Sequence, residues 1–417
     1  MHFDLVCLSH LRWDFVYQRP QHLMTRFARD HRVFYVEEPV VGAAEAHLDV
    51  SLRPEGVRVV VPHLPAGLTD AQTESALRLL LGGLRREHAL RDLVLWYYTP
   101  QALPFTVDLR PATVVYDCMD QLSAFRGAPP QLLKNERDLF ALADVVFTGG
   151  RSLFEEKRRY HHNIHAFPSS IDKKHFAQAR SGVTHAADQL GITAPRVGYA
   201  GVIDERLDLE LLGGVAEQRP DWQIVMVGPV VKIDESDLPR AANLHYLGGR
   251  PYADLPSYLA GWDVALMPFA RNEATRFISP TKTPEYLAAG LPVVSTSIRD
   301  VVHPYGELGL VRIADDADAF VAAIDGAMTE DPAPRRLAAD RFLAGQSWDL
   351  TWQRMNTQID DAVRARLRRE VRPRTLDLVH VPSGWTPVMP ERRVDLARRR
   401  AYAVALELAT SATIAGI

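Results

Sequence analysis

The stretch Ser279-Pro280-Thr281-Lys282-Thr283-Pro284-Glu285-Tyr286 holds the residue types a phosphate ligand needs. A helix that begins within Thr281–Glu285 leaves its first backbone amides without partners. Those amides and the Lys282 ammonium attract an anion together. Glu285, about one turn further on, can accept from two ribose hydroxyls, while Gly290 and Pro292 end the helix before the apolar run at Val293. An ordinary helix with a charged first turn is the plainer reading of the same residues.

Glycine breaks follow apolar runs at Gly198–Gly201, Gly228 and Gly248-Gly249. A glycine at a strand end lets backbone approach a phosphate closely. Arg206 and Arg250 beside them offer planar forks for phosphate oxygens. Asp117 and Asp120 follow the run Thr113–Tyr116, and a carboxylate facing a cleft can take a proton from a hydroxyl. Asp120 could equally be a helix cap. Cys118 reads as a small buried filler. The loop from Ser9 to His22 is dense in polar and aromatic groups, with His10, Arg12, Trp13, Arg19 and His22. It reads as a substrate loop, or else as a helix cap with surface charges.

These residues need elements to hold them. Short apolar runs at 2–8, 33–36, 57–61, 93–97, 113–116 and 144–148 alternate with helical patterns near 21–29, 77–84 and 131–143. The rhythm lapses over 173–194, which is read as a linker, and resumes from Arg196 to Ile313. Strand–helix alternation predicts parallel sheets covered on both faces, hence two Rossmann-like α/β domains, 1–172 and 195–346. Ligands of such sheets bind beyond the carboxyl ends of the strands. In the remaining tail, 347–417, Trp348, Trp352, Met355, Ile359 and Val363 form one helical stripe, expected to pack back on the N-terminal domain. Six arginines then crowd Arg364–Arg374. They form a solvated face, or one that rests on anionic lipid. The segment from Glu391 looks helical and has no assigned role.

The chain has 417 residues, too many for one ordinary core. It is 47% hydrophobic and 24% charged, a globular composition. A net charge of -4 argues against a nucleic-acid partner. Two cysteines, Cys7 and Cys118, exclude a disulfide scaffold and a cysteine zinc cluster. The longest uncharged run, Leu93–Val107, is 15 residues, short of the roughly 18 a spanning helix needs. The start MHFDLVCLSH lacks the pattern of a signal peptide. A cytoplasmic protein is expected, with the inner face of the plasma membrane as a candidate contact.

Pro280-x-Lys282-x-x-Glu285-Tyr286-x-Ala288-x-Gly290-x-Pro292-Val293-Val294 resembles the donor-site signature of GT-B glycosyltransferases, especially the family 4 type. Phe167-Pro168-Ser169-Ser170-Ile171-Asp172, Gly198-Tyr199-Ala200-Gly201 and Leu247-Gly248-Gly249-Arg250-Pro251-Tyr252 are similar to other motifs of that group, in the same order. Arg12-Trp13-Asp14, Gln18–Leu23 and Tyr116–Asp120 look like teichuronic-acid and exopolysaccharide glycosyltransferases.

The resemblance, over roughly residues 1–370, implies a GT-B fold and a nucleotide-diphosphate-sugar donor, UDP- or GDP-linked, with no other cofactor. It implies transfer to a glycan or a polyprenyl-diphosphate-linked acceptor in cell-surface polysaccharide synthesis, without a metal. Gly201, Arg206, Gly228, Arg250, Ser279, Pro280, Thr281, Lys282 and Glu285 would bind the donor, with Glu285 on the ribose and Lys282 and Arg206 on the diphosphate. Val202 replaces a base common in the group. Asp120, then Asp117, would be the base of an inverting reaction, with His10 a third catalytic candidate. Many family 4 members carry a sugar-contacting glutamate eight positions before the second; here that slot is Phe277, with Asn272 and Glu273 upstream. The retaining outcome typical of the family is therefore left open. A GT-B nucleotide-sugar epimerase and a non-catalytic nucleotide-sugar-binding protein of polysaccharide assembly share these features and stand as alternatives.

Overall fold

The computed structural model of the chain describes residues 2–371. Nine strands build the first sheet: β1 (Asp4–Leu8), β2 (Arg32–Val36), β3 (Val40–Val41), β4 (His47–Leu52), β5 (Val57–Leu64), β6 (Val94–Tyr97), β7 (Thr113–Cys118), β8 (Val145–Thr148) and β9 (Ile164–Ala166). Their order is β3-β5-β2-β1-β6-β7-β8-β9, with β4 folded back antiparallel on β5. The other pairs are parallel. Helices α1 (Arg19–Phe27), α2 (Asp70–Glu87), α3 (Leu103–Thr106), α4 (Leu132–Leu142) and α5 (Arg151–Lys157) accompany these strands, and α6 (Lys173–Phe176) leads out of them.

The second sheet is wholly parallel, in the order β12-β11-β10-β13-β14-β15. Its strands are β10 (Arg196–Ala200), β11 (Gln223–Val227), β12 (Leu244–Gly248), β13 (Val264–Met267), β14 (Val293–Ser295) and β15 (Arg312–Ile313). Helices α7 (Leu209–Gln218), α8 (Leu255–Leu259), α9 (Lys282–Ala288), α10 (Arg299–Val301), α11 (Ala317–Thr329), α12 (Pro332–Leu343) and α13 (Trp348–Val371) complete the described chain.

Strand order reverses between β1 and β6 in one sheet and between β10 and β13 in the other. A reversal leaves a crevice at the carboxyl ends, because the helices on either side lie on opposite faces. The first sheet buries both faces, which is why its central strands read as continuous apolar runs. Leu5, Cys7, Tyr35 and Trp96 meet Leu23 and Phe27 of α1 on one face. Val6, Leu8, Phe34 and Leu95 meet Leu81 and Leu84 of α2 and Leu139 of α4 on the other. This is the two-residue period of a strand.

Trp348, Met355, Ile359 and Val363 of α13 join the α1 face, so the last described helix packs on the first sheet although it follows the second in sequence. Met355 and Ile359 are fully buried, and each contributes about 1.5–3 kcal/mol by that burial. Asp349 fixes the helix by pairing with Arg26 at 3.1 Å and Arg29 at 2.9 Å. The expectations for Arg372, Arg374 and the segment from Glu391 lie outside the described residues.

Nine elements were not anticipated: β3, β4, β9, α3, α5, α6, α10, α11 and α12. β4, with sequence HLDVSL, leaves four of its six residues exposed and pairs on one side only, so it has no apolar run. β9 has three residues and α5 has seven, too few to show a period. Among the described residues, no helix is long and apolar enough to cross a membrane.

Candidate active site

The loops after β1, β7, β10, β11 and β13 and the start of α9 line one cleft of about 680 Å³ between the two sheets. Trp13, Arg19, Asp120, Gly201, Arg206, Gly228 and Arg250 line it with Ser279–Lys282 and Glu285. Asp117, His10, Arg12 and His22 are not among its lining residues.

The second-lobe wall begins where β10 ends. Gly201 has φ +150° and an added Cβ would lie 2.2 Å from Lys282 Cε, so the absent side chain is the space the lysine occupies. Gly228 has φ +158° and an added Cβ would lie 1.8 Å from the Gly201 carbonyl oxygen. The two loops therefore touch backbone to backbone. Lys282 lies over the Tyr199 ring at 5.2 Å and the Phe269 ring at 5.9 Å. Burial and the nearby Arg206 hold the ammonium below the ordinary lysine range, against the opposing pull of Glu285. Burial likewise raises the Glu285 carboxyl above its ordinary range.

Helix α9 is seated by Tyr286, whose hydroxyl accepts from the Ala200 amide at 2.8 Å. Thr281 makes no side-chain cap for it. Its first turn thus keeps unpartnered amides where Ser279–Lys282 line the cleft. Arg206 is aimed by Asp204, which accepts from Nε at 2.9 Å and from Nη2 at 2.7 Å. Asp204 is buried, and its hydrogen bonds keep the guanidinium charged despite burial. Arg250 is tied down by Asp188 at 2.6 Å and by the Tyr258 hydroxyl at 2.6 Å. The Tyr252 hydroxyl is buried without a hydrogen-bond partner in this lining. Burial, followed by the nearby Glu285, pushes it well above the ordinary phenol range.

On the opposite wall Asp120 follows β7. Gly149 keeps this loop in place: an added Cβ there would sit 2.3 Å from the Met119 carbonyl. Burial raises the Asp120 carboxyl, while Arg206 and Arg19 draw it back down. Asp117 is differently placed. Arg19 grips both its oxygens, Nε to Oδ2 at 3.0 Å and Nη2 to Oδ1 at 2.8 Å, and adds a bond to the Phe167 carbonyl at 2.7 Å. Both side chains are buried. With both oxygens engaged by a guanidinium, Asp117 is an anchor for α1 on β7.

Arg12 pairs with Glu37 at 2.8 Å, and Glu37 also accepts from the Trp13 amide at 2.8 Å. His22 is buried, stacked on Trp348 with ring centres 4.5 Å apart. His10 has a buried Nδ1 without a partner, and burial and Lys232 lower it to about 4, so it is neutral at pH 7. Phe277 is absent from the cleft lining; it packs against the core of the first sheet. The acids that do line the cleft are Asp14, Glu55, Asp120 and Glu285.

The lobes are joined by contacts that sequence reading missed. Asp300 caps α5 across the interface, accepting from the Arg151 amide at 2.8 Å and the Ser152 amide at 2.9 Å. Ser169 donates to the Ser279 carbonyl at 2.8 Å. Tyr252 stacks on His175 with ring centres 4.4 Å apart and meets Tyr17 at 4.8 Å. Ser169, Ser279 and Tyr252 lay inside motifs visible in the sequence; Asp300, Tyr17 and His175 did not.

Residues 195–330 match the family described as Glycosyl transferases group 1. The Bacillus subtilis (strain 168) protein TuaH, named for a glycosyltransferase of teichuronic acid biosynthesis, is 25% identical over 247 residues, 55% of this chain. The match spans 62% of that relative's length. Sucrose-phosphate synthase from Thermosynechococcus elongatus superposes with a TM-score of 0.66 at 16% identity, covering 87% of this chain and 100% of that one. Anabaena HepE in complex with UDP-glucose superposes with a TM-score of 0.64 at 14% identity, covering 86% of this chain and 100% of that one. The two parallel-sheet α/β domains are those of the GT-B fold.

Proposed function

We propose that this chain is a glycosyltransferase that takes a sugar from a nucleotide-diphosphate-sugar donor. The observation that carries this reading is the juxtaposition of Arg206, Lys282 and Glu285 around glycine backbone at one end of a GT-B cleft. Two cations side by side, one held charged by Asp204, suit a diphosphate. A half-buried carboxylate one turn away suits a ribose diol. HepE, in complex with UDP-glucose, shares the fold, which favours a UDP-linked donor over a GDP-linked one.

As the bond from the anomeric carbon to the diphosphate oxygen breaks, negative charge grows on the leaving group. Arg206 and Lys282 lie fixed where that charge appears, so they stabilise the transition state more than the ground state. The acceptor oxygen bonds to the anomeric carbon, and the nucleoside diphosphate departs with the electron pair. The acceptor hydroxyl's proton passes to Asp120 if the configuration inverts, or to the departing phosphate oxygen if it is retained. Burial raises Asp120, which makes it a stronger base than a solvated aspartate. The acceptor is a glycan of cell-surface polysaccharide synthesis, a reading supported by the likeness to TuaH, which is named for teichuronic acid biosynthesis. Contact with an anionic membrane belongs to the same reading.

The test combines binding and turnover. UDP-glucose and GDP-glucose are added separately to the pure protein, with thermal shift as readout. We expect one to raise the melting temperature, and Lys282→Ala and Glu285→Ala to remove the rise. A rise that persists in both variants would exclude this donor site. Accumulation of an epimerised nucleotide-sugar without acceptor would point to an epimerase instead.

A further inference from the structure

A second cavity, of about 730 Å³, adjoins the donor cleft and has no role in the mechanism above. The same two segments of chain line both spaces. In the first lobe, Met119 and Asp120 line the cleft, and the next residues, Gln121 and Ser123, line the second cavity. In the second lobe, Ile278 and Ser279 line the cleft, and Arg276 and Phe277 line the second cavity. The two spaces are therefore divided along a seam that passes between Asp120 and Gln121 on one side and between Phe277 and Ile278 on the other. Neighbouring residues are about 3.8 Å apart, so a molecule seated beside Gln121 lies within one residue of Asp120.

The lining has the chemistry of a sugar site. Tyr160, 48% exposed, and Phe277 supply rings, with the Arg159 guanidinium 4.9 Å over the first and Arg276 5.0 Å over the second, while the buried Phe140 backs Tyr160 with ring centres 5.6 Å apart. An aromatic face packs against the apolar face of a pyranose. Gln121 and Ser123 supply donors and acceptors for hydroxyls. The charges are balanced: Glu136, Glu156 and Glu273 against Arg137, Lys157 and Arg276. Lys157 is fixed on Glu136 at 2.8 Å, and Arg276 lies 3.5 Å from Glu273. A diphosphate would need surplus positive charge, whereas paired ions offer fixed hydrogen-bonding groups to a neutral ligand.

We propose that this second cavity is the acceptor site and that its ligand is a neutral glycan, entering beside Tyr160 and presenting a hydroxyl across the seam to Asp120. The inference rests on the glycosyl-transfer reading. It also gives Phe277 a place: its ring is part of the wall of the acceptor cavity, turned toward the first lobe.

The experiment is saturation-transfer NMR on the full chain saturated with UDP. The probes are methyl glycosides of glucose, galactose, mannose and N-acetylglucosamine, with geranyl diphosphate as the anionic lipid control. We expect transfer to at least one glycoside. Tyr160→Ala and Gln121→Ala, both at accessible positions, should weaken its binding at least fivefold and leave UDP affinity within twofold. The inference is overturned if no glycoside binds to protein that binds UDP. It is also overturned if both variants leave glycoside binding unchanged, or if geranyl diphosphate binds and loses its site in Tyr160→Ala. Failure of the wild type to bind either UDP or GDP would instead remove the donor reading beneath it.

Discussion

Gly201→Ala separates the donor site from the stability of the fold. An added Cβ would lie 2.2 Å from Cε and 2.4 Å from Nζ of Lys282, and 3.2 Å from the Tyr199 hydroxyl. The closest obstacles are the far end of a flexible side chain, which can move at little cost. The backbone at φ +150° adds strain on the order of 1–3 kcal/mol, which a two-lobed protein of this size can absorb. The displaced ammonium, however, can no longer meet the diphosphate, and a hydrogen bond to a charged group contributes about 1.5–3 kcal/mol. UDP affinity should therefore fall roughly 10- to 150-fold, while the protein still folds. Gly228→Ala is the contrast. Its Cβ would lie 1.8 Å from the Gly201 carbonyl oxygen; backbone cannot step aside so cheaply, and loss of folded protein is expected. Titration calorimetry with UDP and circular dichroism read the two effects. Folded Gly201→Ala that binds UDP within twofold of wild type would refute the placement of Lys282 on the diphosphate.

Three further outcomes follow from the same contacts. UDP affinity should fall between pH 7 and 9.5, because burial and Arg206 lower the Lys282 ammonium and only its protonated form attracts the anion. Log Kd should rise with a slope approaching one per pH unit, and Lys282→Met should flatten the profile; a flat wild-type curve would exclude the charge argument. Asp300→Ala removes two amide bonds across the lobes and should cost about 0.5–2 kcal/mol, measured by urea denaturation; no change would mean the cap contributes nothing. Arg19→Ala leaves the buried Asp117 charge unpaired, an effect of about 3–5 kcal/mol. It should appear as lost stability before any change in catalysis, and a stable but inactive Arg19→Ala would return Arg19 to the reaction.

Much of the architecture was legible because buried parallel strands announce themselves as apolar runs. Runs such as Val33–Val36 and Val145–Phe147 have no exposed face to dilute them. β4 escaped notice because it is an exposed edge strand of mixed residues. The second-lobe side of the cleft was legible for a local reason: Lys282 and Glu285 lie within one turn of one helix, and Gly201 and Arg206 within one loop. The first lobe was harder to read. Arg19 and Asp117 are 98 positions apart, and nothing in either neighbourhood tells a salt bridge from a catalytic pair. His22 likewise gained its place from Trp348, far along the chain. Asp300 shows the same limit, since a cap supplied by the other lobe leaves no local sequence signature.

The central claim is the seat of the nucleotide, and a crystal structure with UDP tests it most directly. We expect the diphosphate within hydrogen-bond distance of Arg206 and Lys282, with the ribose hydroxyls on Glu285. UDP bound in the second cavity beside Tyr160, or anywhere away from Lys282, would contradict it.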